Sequence, residues 1–377
     1  MVAGDNMKNK KQKLLLLLCS LFISSGCTQK ESLEKHSMTA TNLGFDTVIS
    51  FTAYTKSDEE FKKYEKELST RISYYNKIFD RYNTYDGITN IKTINDNAGK
   101  KAVKVNEDIM DLLEISKEYS QLTNGKFDIT MGAVTDLWKN AREQAEKDPK
   151  NTFVPSQKDL EEAKIHSGWD KVQIDKEKST VYLTDSKTRL DVGAVAKGYA
   201  IDKTAEKLKE MGVKHGFLNG GGNIRLLGNK PDDSNWVVGV QIPDLKQQST
   251  DSIASLSLSG NTSIVTSGDY QRFYVYDGNI MHHIIDPQTL QPARYTRSVS
   301  IICDDGTTSD ILSTALFTMS QEDGQALLDK ICKEKGITAS ALWVYDENTL
   351  PEQLEHSFKN QEYTISYSPA LEKQIVK

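Results

Sequence analysis

The sequence predicts an α+β fold of mixed helices and antiparallel-rich sheets. Helical and strand patterns follow one another without the regular strand–helix–strand alternation that builds a doubly wound sheet. Beyond residue 236 the chain turns to short strands, and Asp277-Gly278 between two of them is a hairpin signal. With 377 residues, 37% hydrophobic and 27% charged, it has ample material for a core of one or two domains. A formal net charge of -6 argues against nucleic acid, whose binding needs a basic face.

The first residues read as an address. Lys8, Lys10, Lys11 and Lys13 precede an apolar run over residues 14–23 that is too short to span a bilayer, and Ser24-Ser25-Gly26 lead to Cys27. This pattern resembles a bacterial lipoprotein signal over residues 1–26, with Ser24 where leucine is commonest and Met7 as a possible alternative start. It implies lipidation of Cys27 and a cell-membrane location, lipid-anchored on the extracytoplasmic side. Once Cys19 leaves with the signal, Cys303 and Cys332 remain, too few for a disulfide framework and without zinc spacing. Residues 27–42 are polar and without period, which reads as a tether, and the folded domain is expected over 43–377.

Residues 47–54 alternate like a first strand. Ser57 with Glu60 makes a capping box for a helix to about Phe79, with Phe61, Tyr64, Leu68, Ile72 and Tyr75 on its apolar face. An aromatic-rich loop follows over 80–87. Asn106 caps a second helix through Ile109, Leu112, Leu113 and Tyr119, closed by Asn124-Gly125. Residues 140–156, charged and holding Pro149 and Pro155, read as a surface excursion, and strands are expected at 172–174 and 180–183.

The organising stretch is 190–225. Asp191-Val192-Gly193-Ala194 is an acid beside a small-residue turn, followed by a helix with Ala196, Ala200, Ile201, Thr204, Leu208 and Met211 on one face and Gly212 at its stop. A buried strand at 215–218 runs into Asn219-Gly220-Gly221-Gly222-Asn223, and a second strand follows at 224–227. Backbone amides of the three glycines can form a nest for an anion; the other reading is a tight inter-strand turn. Further strands are expected at 236–242, 253–258, 273–276, 280–285, 298–303 and 341–345, and helices at 310–319 and 323–332.

Two constellations carry chemistry. On a helix, Asp310 and Thr314 share a face, so a carboxylate and a hydroxyl point the same way, as hard oxygen ligands or as a local cap. His282-His283 in a strand gives one ring to each face, and a histidine can exchange protons near neutrality. No P-loop, dinucleotide fingerprint or nucleophile elbow occurs, so ATP, NAD and esterase readings lack their parts.

The segment D-V-G-A-V-A-K-G-Y-A at 191–200 and the loop N-G-G-G-N at 219–223 resemble the ApbE family, the FAD:protein FMN transferases. So do G-K-F-D-I-T at 125–130, T-S-G-D-Y at 266–270, H-I-I-D-P at 283–287 and D-I-L-S-T-A at 310–315, with Ile311 replacing the usual small residue. Residues 88–97 resemble a short family stretch as well, and the likeness runs from about residue 43 to 319 and beyond. The resemblance implies a T-fold-like architecture and Mg2+ held by Asp310, Thr314 and the Ala194 carbonyl. FAD contacts are implied at Phe45, Tyr82, Asn83, Lys126, Phe127, Asp128, Asp191, Lys197, Asn219, Gly220, Gly221, Ser267, Gly268 and Ile285. His283 is the implied base and Asp310 the implied catalytic carboxylate. The implied reaction attaches FMN by a phosphoester to a threonine of an exported electron-transfer protein and releases AMP. Family acceptors carry a motif of the form Asp/Ser-Gly-x-Ser/Thr-Gly-Ala-Thr, which this chain lacks. The alternatives are a magnesium-dependent FAD pyrophosphatase, giving FMN and AMP, and a flavin-binding lipoprotein without chemistry.

Overall fold

A computed structural model describes residues 32–376 except 247, 248 and 250, so the signal segment and Cys27 lie outside the described residues. The chain runs β1 (Glu34–Ala40), β2 (Ile49–Thr55), α1 (Asp58–Phe79), α2 (Ile91–Asp96), β3 (Val103–Lys104), α3 (Glu107–Leu122), α4 (Gly132–Lys147) and α5 (Gln157–Lys164). It continues through β4 (Val172–Asp175), β5 (Thr180–Leu183), α6 (Ala196–Glu210), β6 (Gly216–Gly220), β7 (Asn223–Leu227), β8 (Trp236–Gln241), β9 (Ser252–Leu258) and β10 (Ser263–Gly268). The rest is β11 (Phe273–Tyr276), β12 (Asn279–His282), β13 (Ser298–Cys303), α7 (Gly306–Phe317), α8 (Gln321–Lys335), β14 (Ala339–Tyr345), β15 (Ser357–Asn360), β16 (Tyr363–Tyr367) and β17 (Ile375–Val376).

Nine strands form one sheet in the order β1-β2-β6-β7-β10-β13-β14-β16-β15, and every neighbouring pair is antiparallel. Its central strands are covered on both faces. In β13 and β14, Val299, Ile301, Cys303, Ala341, Trp343 and Tyr345 enter the core shared with the helices, while Ile302, Leu342 and Val344 pack towards the small sheet β17-β9-β8. Strict alternation of direction with burial on both sides explains why these strands read as continuous apolar runs. The α+β fold with antiparallel sheets is therefore as expected from the sequence.

The helix caps follow the sequence closely. Ser57 Oγ accepts from Glu60 N at 3.2 Å and Asn106 Oδ1 accepts from Ile109 N at 2.9 Å. The Glu60 carboxylate takes the Lys56 N–H at 2.8 Å instead of the cap residue's own.

Several stretches depart from expectation. Residues 34–40, read as tether, form β1, paired from Glu34↔Thr55 to Ala40↔Ile49 at the edge of the large sheet. An edge strand needs backbone pairing but little apolar surface, so E-K-H-S-M-T-A shows no hydrophobic period. Residues 140–147, read as loop, complete α4, whose buried side includes Trp138, Ala141 and Ala145. The strand β10 was not anticipated, because S-I-V-T-S-G is half polar yet lies between β7 and β13. Finally β12 ends at His282 and not at Ile285, since the chain turns away to pair Ile285 with Pro292.

Candidate active site

The site is set by the crossing of α6 and α7. Helix α6 opens at Val195 without a side-chain cap, and Asp310 from α7 supplies one: its Oδ2 accepts from Gly198 N at 2.7 Å. The approach requires Gly198, where a Cβ would lie 2.5 Å from both the Asp310 Cβ and the Gly306 carbonyl oxygen. Asp202 of α6 returns the bond, accepting from Gly306 N at 2.8 Å at the start of α7, and its other oxygen meets Arg225 Nε of β7 at 2.9 Å. Each helix thus places a carboxylate on the other's first turn, where unpaired N–H groups and the positive dipole end favour it.

Asp310 is 4% exposed. Burial raises its pKa, opposed by the charge of Lys197 and by the N–H of Gly198; burial conversely lowers the pKa of Lys197, opposed by Asp310. One helical turn on, Thr314 Oγ1 lies 3.3 Å from Ser267 Oγ, which also bonds Ser313 Oγ at 2.8 Å. The T-S-G and D-I-L-S-T motifs are brought together by the packing of β10 on α7. The buried carboxylate of Asp310 and the half-buried hydroxyl of Thr314 are hard oxygens, which suit a cation content with one carboxylate, neutral oxygens and water. Among the described residues no three of His, Cys, Asp or Glu gather as metal ligands.

The two histidines divide as their environments dictate. His282 is 3% exposed: its Nδ1 accepts from Ile284 N at 3.2 Å, its Nε2–H donates to Ala293 O at 2.7 Å, and its ring meets Phe317 edge-on. Burial lowers its pKa to about 4. His283, just past the strand, is half-buried and lies 3.2 Å through Nδ1 from the Arg272 carbonyl. That oxygen can only accept, so Nδ1 carries the proton and Nε2 keeps a free lone pair. Burial, then the charges of His282, Arg272 and Lys197, hold its imidazolium far below the usual range. The charges of Arg272 and Lys197 thus act on His283, and Lys197 also acts on Asp310.

Other predicted site residues are engaged in scaffolding. Asp191 accepts from Thr135 Oγ1 at 2.7 Å and Gly193 N at 3.1 Å and pairs with Arg81 Nη1 at 2.5 Å. Burial opposes its ionisation, but Arg81 together with the Thr135 hydroxyl and the Gly193 N–H outweighs it and the pKa is lowered. Arg81 also bonds Asp136 at 2.7 Å and lies under the exposed Tyr82 ring, 5.3 Å from its centroid, with Lys139 4.7 Å from the same centroid. Asn83 is tied to Asp80 through Nδ2 at 3.0 Å. Lys126 Nζ bridges Asp286 at 3.2 Å and the Thr318 carbonyl at 2.9 Å, which joins the G-K-F-D-I-T and H-I-I-D-P motifs to the end of α7. Asp128 Oδ1 accepts from Thr130 N at 2.9 Å and its hydroxyl at 2.7 Å. Phe127 and Ile285 are buried in hydrophobic clusters.

The triple glycine is the β6–β7 turn. Gly222 N donates to Asn219 Oδ1 at 3.3 Å, so that amide is not free to form an anion nest. Gly221, at φ 67°, packs under the Thr47 side chain, which would clash with any Cβ. Gly44, Phe45 and Asp46 all take positive φ (125°, 59° and 48°), held by Asn76 Oδ1 on Phe45 N at 2.7 Å, and this strained loop leads into Thr47. Gly268 meets the Tyr270 ring closely. Arg81, Arg272, Ser313 and Asn223 were not singled out from the sequence. They lie inside or beside the motifs, and no residue-type pattern distinguishes them there.

The model of the ApbE family matches residues 45–340. The chain belongs to the ApbE family. Curated ApbE-type relatives named FAD:protein FMN transferase include one from Klebsiella pneumoniae (strain 342), 30% identical over 63% of this chain and 71% of its own length. Another, from Treponema pallidum (strain Nichols), is 32% identical over 63% and 67% respectively. The crystal structure of the ApbE protein of Thermotoga maritima superposes with a TM-score of 0.69 at 29% identity, covering 82% of this chain and 94% of that one. The flavinyl transferase ApbE of Pseudomonas stutzeri shares the fold, with a TM-score of 0.70 at 21% identity over 91% and 97%.

Proposed function

We propose that this chain is a magnesium-dependent FAD:protein FMN transferase that moves FMN to a threonine of an exported electron-transfer protein and releases AMP. The observation that carries the reading is the Asp310 carboxylate capping α6 at the α6–α7 crossing, with the Ser267–Thr314 hydroxyl pair one turn on, the charge of Lys197 beside it, and Lys197 and Arg272 both acting on His283. In a protein of net charge -6, such a gathering of cations beside one buried carboxylate suits a diphosphate and its counter-cation.

Asp310, Thr314 and the Ala194 carbonyl would hold the magnesium, which supplies charge neutralisation at the diphosphate when bound. Lys197 and Arg272 bind and orient the diphosphate oxygens. The acceptor threonine Oγ attacks the FMN-side phosphorus, a new P–O bond forms, the anhydride P–O bond breaks, and AMP takes the bonding pair. His283 Nε2 receives the threonine proton, since Nδ1–H is directed at the Arg272 carbonyl. The incoming diphosphate offsets the cations that depress His283, raising its proton affinity as the reactants assemble. Positioning and electrostatics provide most of the acceleration in such a displacement.

The lysine-rich start, short apolar run and Cys27 support anchoring by a lipid on the extracytoplasmic side. Chromatography of nucleotides after incubation with FAD, magnesium and a threonine acceptor tests the activity. Release of AMP without matching free FMN is expected. Equal free FMN and AMP would show a pyrophosphatase, and unchanged FAD a binding protein.

A further inference from the structure

The hydroxyl groups between β10 and α7 form a row with one direction. Ser313, fully buried on α7, donates its hydroxyl proton to the Asp310 carbonyl at 2.9 Å. A carbonyl can only accept and a hydroxyl has one proton, so Ser313 has none left to give. Ser267 Oγ of β10 lies 2.8 Å from Ser313 Oγ and is therefore the donor of that pair. Its own proton is spent in turn. In the 3.3 Å contact between Ser267 Oγ and Thr314 Oγ1 the donor is then Thr314. The protons run from Thr314 to Ser267, from Ser267 to Ser313, and from Ser313 to the backbone of Asp310.

Both ends of the row are held. A helical threonine ordinarily turns its hydroxyl back on the carbonyl one turn earlier, which for Thr314 is that of Asp310. Ser313 occupies this carbonyl, and the hydroxyl of Thr314 is matched by Ser267 instead. Ser267 is fixed by the sheet: it stands opposite Val299 of β13, and the neighbouring Thr266 Oγ1 lies 2.7 Å from Ser300 Oγ on the same strand. With its proton directed at Ser267, Thr314 Oγ1 keeps its lone pairs for another partner. A freely turning hydroxyl would lose part of that advantage, because its proton repels a cation and its lone pairs attract one.

We propose that Ser267 and Ser313 are positioning residues that fix the rotation of the Thr314 hydroxyl, so that it presents lone pairs and not its proton to the magnesium ion. This rests on the magnesium reading given above. Neither serine acts on the ion directly: Ser313 sets the proton of Ser267, and Ser267 sets the proton of Thr314. Without Ser313, the Ser267 proton is released to turn towards Thr314 and occupy a lone pair that the ion would use.

Ser267→Ala, Ser313→Ala and the double variant test this, since each removes a hydroxyl without adding bulk. Two quantities are measured: the magnesium dissociation constant by isothermal titration of the FAD-saturated protein, and the thermal midpoint of the ligand-free protein. Each single variant is expected to bind magnesium roughly 10- to 100-fold more weakly, the range seen when a group orienting a metal ligand is removed. The double variant is expected to be no weaker than the weaker single variant, because the two serines act in series through one hydroxyl. A lowered midpoint with an unchanged magnesium constant in either single variant makes the row a packing feature and overturns the inference, as do losses that simply add in the double variant. Failure of the FAD-saturated wild-type protein to bind magnesium overturns the magnesium reading and the inference with it.

Discussion

At adjacent positions, His282 and His283 meet opposite demands. His282 uses both ring nitrogens inside the protein, and protonating Nδ1 would break its bond from Ile284 N. Its folded pKa, lowered from 6.5 to about 4, favours the neutral ring, so the stability it contributes is present above pH 6.5 and is lost as pH falls from there towards 4. Removing it by His282→Gln should flatten this part of the acid dependence, by up to about 3 kcal/mol at 1.36 kcal/mol per unit. Urea unfolding of both proteins at pH 7 and pH 5 checks it; parallel losses of stability would contradict it. His283→Ala should instead keep the fold and FAD binding and lose transfer by on the order of 10²–10⁴-fold. Single-turnover rates decide, and loss of FAD binding would make His283 a ligand contact. The sequence distinguished these two through the H-I-I-D-P pattern but assumed a strand through both. The physical distinction lies in the turn after His282, which frees the second ring.

The crossing of α6 and α7 is the element on which the site depends. Replacing Gly198 by Ala forces a Cβ against the Asp310 Cβ and the Gly306 carbonyl. Overpacking of this kind costs about 1–3 kcal/mol. Because the displaced neighbour is Asp310 itself, Gly198→Ala should lower the thermal midpoint and the transfer rate together. Full activity in a destabilised variant would show that the helix spacing does not set the carboxylate. Both helices were legible from the sequence, α6 from its spacing of small and apolar residues and α7 from its D-x-x-x-T face. Their reciprocal capping was not, because Gly198 and Gly306 bond to carboxylates more than 100 positions away. Strand β10 escaped notice for a related reason. Its Thr266 and Ser267 hydroxyls are matched by Ser300, Ser313 and Thr314 from β13 and α7, so polar residues sit at positions where a sequence pattern looks for apolar ones.

Across the whole molecule, the packing of α6, α7 and β10 brings together motifs as far apart in the chain as Gly198, Ser267 and Asp310. The fold class and the helices with strong caps were readable, since capping and periodicity are local signals. The edge strand β1 was not, because its stability comes from pairing with β2 and not from its own composition. Its span Glu34–Ala40 takes these residues out of the tether expected over 27–42. Cys27→Ala should release the protein from membranes or leave its signal uncleaved, as read by fractionation and mature mass. A variant that still pellets at mature size would remove the lipid anchor. The central claim concerns FMN and an acceptor threonine, and the intact mass of an exported acceptor domain tests it most directly. After incubation with this protein, FAD and magnesium, the acceptor should gain the mass of one FMN less water, and none with Asp310→Ala. An acceptor of unchanged mass beside wild-type protein that has consumed FAD would contradict the account.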